Sequence, residues 1–190
     1  GAQIQRYYIT DTPSQGNVIY INDQNKPGLS SKREQEVSNP RIVLQRITGV
    51  DSKVRIISTL INGHMYCANS TNYIANDNSI NIKYLLGVLN SSLVNFFIKQ
   101  TSTNTNITAK VLNSIPIIFP STKMQEAIIR IVDYVLIIKS LPSDIIIDQY
   151  VDNDVMARQF ENVIDALIYE LYFIESLVLY FSAISLILFP

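Results

Sequence analysis

The spacing of apolar residues changes near residue 78, and this change constrains the fold more than any motif does. Before it, short runs rich in Ile, Val and Tyr are typical of strands, and after it apolar residues recur at helical spacing. Strands that precede helices, rather than alternating with them, predict an α+β fold with a mixed or antiparallel sheet followed by C-terminal helices. We expect one domain over 1–141, followed by an acidic connector and helical region over 142–190.

The strand predictions fall in the first 75 residues and in one later run. They are 4–9 (IQRYYI), 18–21 (VIYI), 41–48 (RIVLQRIT), 53–61 (KVRIISTLI), 64–68 (HMYCA), 71–75 (TNYIA) and 115–119 (IPIIF). Asn62-Gly63 is a strong two-residue turn signal and predicts a hairpin between two of these segments. The polar segment 22–40 predicts a loop with a helical turn at SKREQEV.

Three later stretches predict helices. The first begins at Asn78 or Ser79, continues through the apolar positions to Phe97, and is interrupted at Asn90-Ser91-Ser92. The others cover 121–141, with Ser121 or Thr122 as N-cap, and about 155 to 172 or beyond.

The tail 176–190 is strongly apolar, but Glu175 interrupts the run. The uninterrupted part is about 15 residues, shorter than the roughly 20 that span a bilayer. We therefore expect no membrane span, and predict a helix that is buried or contacts a partner, with a homodimer as one candidate. A single cysteine excludes an intrachain disulfide and fits a cytoplasmic location.

The net charge of −1 conceals a step along the chain. Residues 1–110 carry 11 Lys/Arg and 6 Asp/Glu, a net charge of +5, whereas residues 111–190 carry 4 and 10, a net charge of −6. The step indicates two regions, of which the basic one can bind a polyanion. Charge patterning for solubility is the alternative.

The sequence lacks the motifs of common catalytic and cofactor sites. No dinucleotide-binding glycine fingerprint, P-loop or serine nucleophile elbow occurs. His64 and Cys67 are the only histidine and cysteine, too few for a zinc site. The pattern favours a binding module without cofactor or metal.

Residues 101–110 (TSTNTNITAK), here called the polar strip, precede an apolar run and contain no acid. Their hydroxyls, amides and single lysine suit either a solvated loop or a surface that contacts a polar anion.

Five segments together resemble the TaqI-like specificity domain of restriction–modification enzymes. They are GAQIQRYYI (1–9), NPRIVLQRI (39–47), YCANSTNYI (66–74), IKYLLGVLNSSLVNFF (82–97) and ITAKVLNSIPIIF (107–119). They follow one another in the family's order across about 1–140, and the specificity subunits of type I systems show a segment similar to the last.

The resemblance implies a target recognition domain that contacts double-stranded DNA and performs no chemistry itself. The implied full-length protein is a type II enzyme, with type IIG as a narrower candidate, that methylates adenine. Its catalytic domain, with the S-adenosylmethionine site, and any nuclease domain would then lie outside this chain as partners of the recognition domain.

Eleven polar residues are the candidate DNA contacts. They are Arg6, Arg41, Gln45, Arg46, Lys53, Arg55, Thr103, Thr105, Asn106, Thr108 and Lys110. Arg and Gln pair with guanine and adenine edges, whereas Lys and hydroxyls bind phosphates or base edges. Strand alternation predicts one shared face for Arg41 and Gln45, and one for Lys53 and Arg55.

Solvated loop and strand-surface residues are the alternative for these positions. Two rival functions also fit the sequence: a protein–protein interaction domain that uses the apolar C-terminal helix, or a fragment of an enzyme completed elsewhere.

Overall fold

The structure is a computed structural model that describes residues 1–11, 28, 30–50, 52–63, 65–67, 69–142 and 144–188, with side chains up to Phe173. The strands are β1 (Ile4–Gln5), β2 (Tyr8–Ile9), β3 (Arg41–Gln45), β4 (Ser58–Ile61) and β5 (Thr71–Ala75). The helices are α1 (Ser31–Ser38), α2 (Ile82–Asn90), α3 (Ser92–Thr101), α4 (Ala109–Asn113), α5 (Thr122–Ser140) and α6 (Asn153–Leu188). The strand predicted at 18–21 lies outside the described residues.

The central sheet has the order β4-β3-β5, and both pairings are antiparallel. Ile42 pairs with Leu60 on one side and Ile74 on the other. The described residues thus confirm the α+β fold class with an antiparallel sheet and C-terminal helices.

The first segment forms a hairpin, so the single strand predicted over 4–9 is wrong. β1 pairs with β2 across Arg6 and Tyr7, and Tyr7 has a φ of 68°. Two contacts hold this left-handed residue in place: the Tyr7 ring is buried, and the Tyr7 amide donates a hydrogen bond of 3.0 Å to the carbonyl of Ser58.

Three other strand predictions exceed what forms. β3 ends at Gln45, three residues before the predicted end. β4 begins only at Ser58, and no described residue of 64–68 belongs to a strand, so the predicted hairpin at Asn62-Gly63 is wrong. β4 and β5 instead flank β3, although Gly63 does adopt the left-handed φ of 75° typical of turns.

The helix predictions hold better. Asn81, rather than Asn78 or Ser79, caps α2, and Ser121 caps α5. The predicted interruption is present: Ser91 ends α2 and its hydroxyl accepts the amide of Val94 to begin α3.

The main core lies between the sheet and the helices, where α2 packs against the sheet and α5 packs on α2 and α6. Gly87 lets α2 and α5 approach closely, since a Cβ there would lie 3.0 Å from Val132 Cγ2. Ile164 and Ile168 of α6 are buried in the same core. The domain boundary at 141 remains a prediction.

The segment 115–119 forms no strand, contrary to the prediction. Its carbonyls bond to side chains instead: the Tyr84 hydroxyl donates to Ile118 at 2.6 Å, and the Tyr172 hydroxyl donates to Pro116 at 2.6 Å. Pro116 also has no N–H to give to a neighbouring strand.

α6 extends to Leu188, so the backbone of the tail is helical over its described part. The helices of the described residues include none that combines the length and apolarity required to cross a bilayer.

Candidate nucleic-acid interface

Arg41 does not lie on a strand surface. It is 1% exposed, and its guanidinium donates to the carbonyls of Val37, Gly63 and Met65, with the Val37 bond at 2.6 Å. It therefore holds the C-terminal end of α1 against the loop after β4. In this arrangement its donors face protein carbonyls, which corrects the expectation of an exposed strand face shared with Gln45.

Arg55 is also buried, with 0% exposure. Its guanidinium donates to the carbonyl of Ser102 at 3.2 Å, to the carbonyl of Asn104, and to Thr48 Oγ1 at 3.4 Å. No described carboxylate forms an ion pair with it. Arg55 thus shapes the polar strip from beneath, which corrects its expected place on a strand face with Lys53.

Two side chains that the sequence did not single out hold Arg55 in place. Asn95 Oδ1 accepts the backbone amides of Arg55 at 2.7 Å and Ile56 at 2.8 Å, and the Thr48 hydroxyl donates to the carbonyl of Arg55 at 3.0 Å. The signal for Asn95 was an amide on the apolar side of α3, between buried Val94 and Ile98. The hydrogen bonds to Asn95 thus take the place of strand pairing for the amides of Arg55 and Ile56.

The polar strip pairs with the chain that follows β3. The amide of Thr48 donates to the carbonyl of Thr105 at 3.1 Å, and the amide of Ile107 donates to the carbonyl of Arg46 at 2.7 Å. Ile107 is fully buried and anchors the strip, while Thr103 and Thr105 remain exposed. The strip is therefore an ordered edge with exposed hydroxyls.

The end of the strip has a structural role. The Thr108 hydroxyl accepts the amide of Val111 at 3.3 Å and caps α4, which the sequence did not predict. Asn106 is half-buried. Lys110 is exposed in α4, three residues after Ile107, whose amide pairs with Arg46.

Three of the candidate cations are exposed. Arg46, Lys53 and Lys110 form no ion pair with another described residue. Among the described residues, the Arg46 side chain makes one hydrogen bond, to the carbonyl of Asn69 at 3.3 Å. These side chains can give their charge to a bound anion.

The two remaining candidates are engaged elsewhere. Gln45 is half-buried, and its Nε2 donates to the carbonyl of Ile4 at 2.7 Å. Arg6 pairs with Glu161 at 2.8 Å and donates to the carbonyl of Asn90 at 2.8 Å. Burial nevertheless raises the pKa of Glu161 above its ordinary value, because desolvation outweighs the attraction of Arg6.

The described residues hold no cluster of three or more His, Cys, Asp or Glu side chains suited to a metal ion, and His64 lies outside them. The arrangement provides hydrogen bonds and positive charge along one ordered edge.

Comparison with known proteins shows the fold and the family of the chain. A solved structure of MmeI, described as a type IIL restriction–modification enzyme in complex with DNA, superposes on 72% of this chain with a TM-score of 0.56 and 16% identity. The matched part is 19% of the MmeI chain, and similarity at this identity shows the fold alone. No curated protein matches by sequence. The family model of the TaqI-like C-terminal specificity domain matches residues 1–117, and the chain belongs to this family.

Proposed function

We propose that this chain is the sequence-specific DNA target recognition domain of a type II restriction–modification enzyme, with type IIG as the narrower assignment. Family membership supports the recognition role. The full-length protein would methylate adenine through a catalytic domain outside this chain, which would bind S-adenosylmethionine, and a nuclease domain would be a further partner. Because its proposed substrate is cellular DNA, we place the full-length protein in the cytoplasm of a prokaryotic cell.

One observation carries the proposal: the pairing of 46–48 with 105–107 places exposed threonines of the polar strip beside exposed Arg46. Short hydroxyl side chains approach base edges without steric conflict, and unpaired cations bind phosphates. Such a combination suits the grooves of duplex DNA.

The eleven candidates then divide by exposure. Thr103 and Thr105 are proposed to read base edges, and Arg46, Lys53 and Lys110 to bind phosphates. Arg41, Arg55, Asn106 and Thr108 are proposed to support this surface, while Arg6 and Gln45 fix the N-terminal hairpin to the core.

The test compares two variants of the full-length protein, Lys110→Ala and Thr105→Ala. Binding is titrated at several salt concentrations to a duplex of mixed sequence and to the site that the parent selects from randomised duplexes. Lys110→Ala should weaken binding to both duplexes alike and flatten the salt slope by about 0.9, the value for one lost phosphate contact.

Thr105→Ala should weaken binding to the selected site by about 1–3 kcal/mol and leave mixed-sequence binding unchanged. If both variants bind both duplexes with the affinity and salt slope of the parent, the DNA contacts another surface. A parent that selects no sequence would contradict the proposed function.

Exposed apolar side chains on a second surface favour an additional role in binding another protein domain. Ile146 is 68% exposed and Tyr150 is 86% exposed in the acidic connector, and Ile137 of α5 is also exposed. We propose that this region contacts either another domain of the full-length protein or, together with the tail, a second copy of the chain.

A further inference from the structure

A groove of about 220 Å³ lies on the side of α3 that faces residues 53–54. It is lined by Lys53 and Val54 from that segment, and by Ser92, Asn95, Phe96 and Lys99 from α3. Arg6 lines its other end, where Glu161 neutralises it.

Phe96 is an exposed aromatic residue in an apolar helix. It continues the helical spacing of apolar residues in 82–97, yet it is 59% exposed at this groove, while its neighbours Asn95 and Val94 are buried. An exposed phenylalanine costs solvation free energy unless a ligand or partner covers it.

The charges of the groove indicate an anionic occupant. Lys53 and Lys99 are both exposed and pair with no described carboxylate, in contrast to Lys83 and Lys139, which pair with Asp133 and Asp154. Two unpaired ammonium groups that line one groove attract a phosphate. Solvent and salt screen this attraction less where the groove displaces part of the water.

The groove and the polar strip are joined through α3. α3 carries Phe96 and Lys99 and ends at Thr101, where the strip begins, and Arg55 ties the other wall to the carbonyl of Ser102. The five residue steps from Phe96 to Thr101 rise about 7.5 Å along the helix. This corresponds to about two nucleotides at 3.4 Å each along one DNA strand.

We infer that this groove is a DNA-backbone site: Lys53 and Lys99 hold one phosphate, and the Phe96 ring packs against the adjacent deoxyribose. The inference rests on the proposed function and extends its DNA-contacting surface from the strip to α3. A sugar–phosphate unit satisfies both the charges and the exposed ring, whereas another domain of the protein would need carboxylates to satisfy the lysines.

The test uses the full-length protein and a mixed-sequence duplex, because a phosphate contact does not depend on sequence. Lys99→Ala should lower affinity about 5- to 10-fold near 0.1 M salt and reduce the salt slope by about 0.9. Phe96→Ala should lower affinity without changing the slope, since it removes no charge, and Phe96→Leu should recover part of the loss. Lys83→Ala is the matched control, since its charge is already paired, and should bind as the parent does.

The outcomes separate the groove from the proposed function. If Lys99→Ala has parental affinity and slope while Lys110→Ala weakens binding, DNA does not enter the groove and the proposed function stands. If Phe96→Ala leaves DNA affinity unchanged but increases hydrogen exchange in another domain, that domain covers the groove and the inference is wrong. A parent that binds no duplex would overturn both.

Discussion

Replacing Arg55 with methionine keeps an apolar stem of similar length and removes the guanidinium that supports the polar strip. The change deletes donors to the carbonyls of Ser102 and Asn104 and to the hydroxyl of Thr48. We expect the strip and its pairing with 46–48 to open locally, while the helical core stays folded.

The size of the effect follows from these contacts. A hydrogen bond from a charged donor contributes about 1.5–3 kcal/mol, but the 3.4 Å bond to Thr48 counts little and removing a buried charge recovers desolvation free energy. Asn104 is exposed, so its carbonyl can bind water in the variant. The net loss is about 2–4 kcal/mol, which accelerates exchange through local opening by about 30- to 700-fold.

Hydrogen–deuterium exchange of the full-length protein measures this directly. The amides of Thr48 and Ile107 close the pairing and should exchange faster in Arg55→Met. Arg46→Met is the matched control, because the Arg46 side chain is exposed and its guanidinium donates to the carbonyl of Asn69, not to the polar strip. The backbone hydrogen bonds of Arg46 do not depend on its side chain. Peptides from α5 should be unaffected in both variants.

A combined exchange and salt-dependence result would refute the structural role of Arg55. Parental exchange in Arg55→Met, together with a salt slope flattened by about one phosphate contact, would show that Arg55 contacts DNA and not the strip.

Three further predictions concern stability. Arg41→Ala should lower the free energy of unfolding by about 3 kcal/mol in a urea titration, since the hydrogen bonds of the buried guanidinium to the carbonyls of Val37, Gly63 and Met65 are lost, and an unchanged midpoint would contradict this. The raised pKa of Glu161 means that the folded state binds its proton more tightly than the unfolded state does. Stability of the parent relative to Glu161→Gln should therefore fall as pH rises from the ordinary glutamate pKa through the raised value, whereas parallel melting curves against pH would refute it. Deleting 176–190 should lower the melting temperature or change the mass in solution, and a truncation that alters neither would exclude a packing role for the tail.

The sequence predicted what depends on local chemistry. Asn-Ser-Ser broke the helix at residue 91 because Ser91 caps the next helix, and Ser121 capped α5 as its position before an apolar helical pattern suggested. Strand composition located β3 and β5, since runs of β-branched and aromatic residues favour strands wherever partners exist.

The sequence-based prediction was wrong where a side chain distant in sequence accepts the hydrogen bonds of a segment's backbone amides. Residues 53–57 have strand composition, but Asn95 accepts the amides of Arg55 and Ile56, about forty residues away along the chain. The burial of Arg41 and Arg55 was equally hidden, because their partners are carbonyls that any sequence possesses. Exposed Phe96 fits the helical period and only its neighbours in space distinguish it from a core residue.

The central claim is that the polar strip reads DNA sequence, and selection from a randomised duplex library tests it most directly. The full-length parent and the Thr103→Ala, Thr105→Ala double variant are each allowed to select their preferred duplexes under identical salt. The account predicts that the variant loses preference at one or two adjacent positions of the site and keeps the others, because each threonine contacts only neighbouring base edges. Selection of the same sequence, with the same affinity, by parent and double variant would contradict the claim.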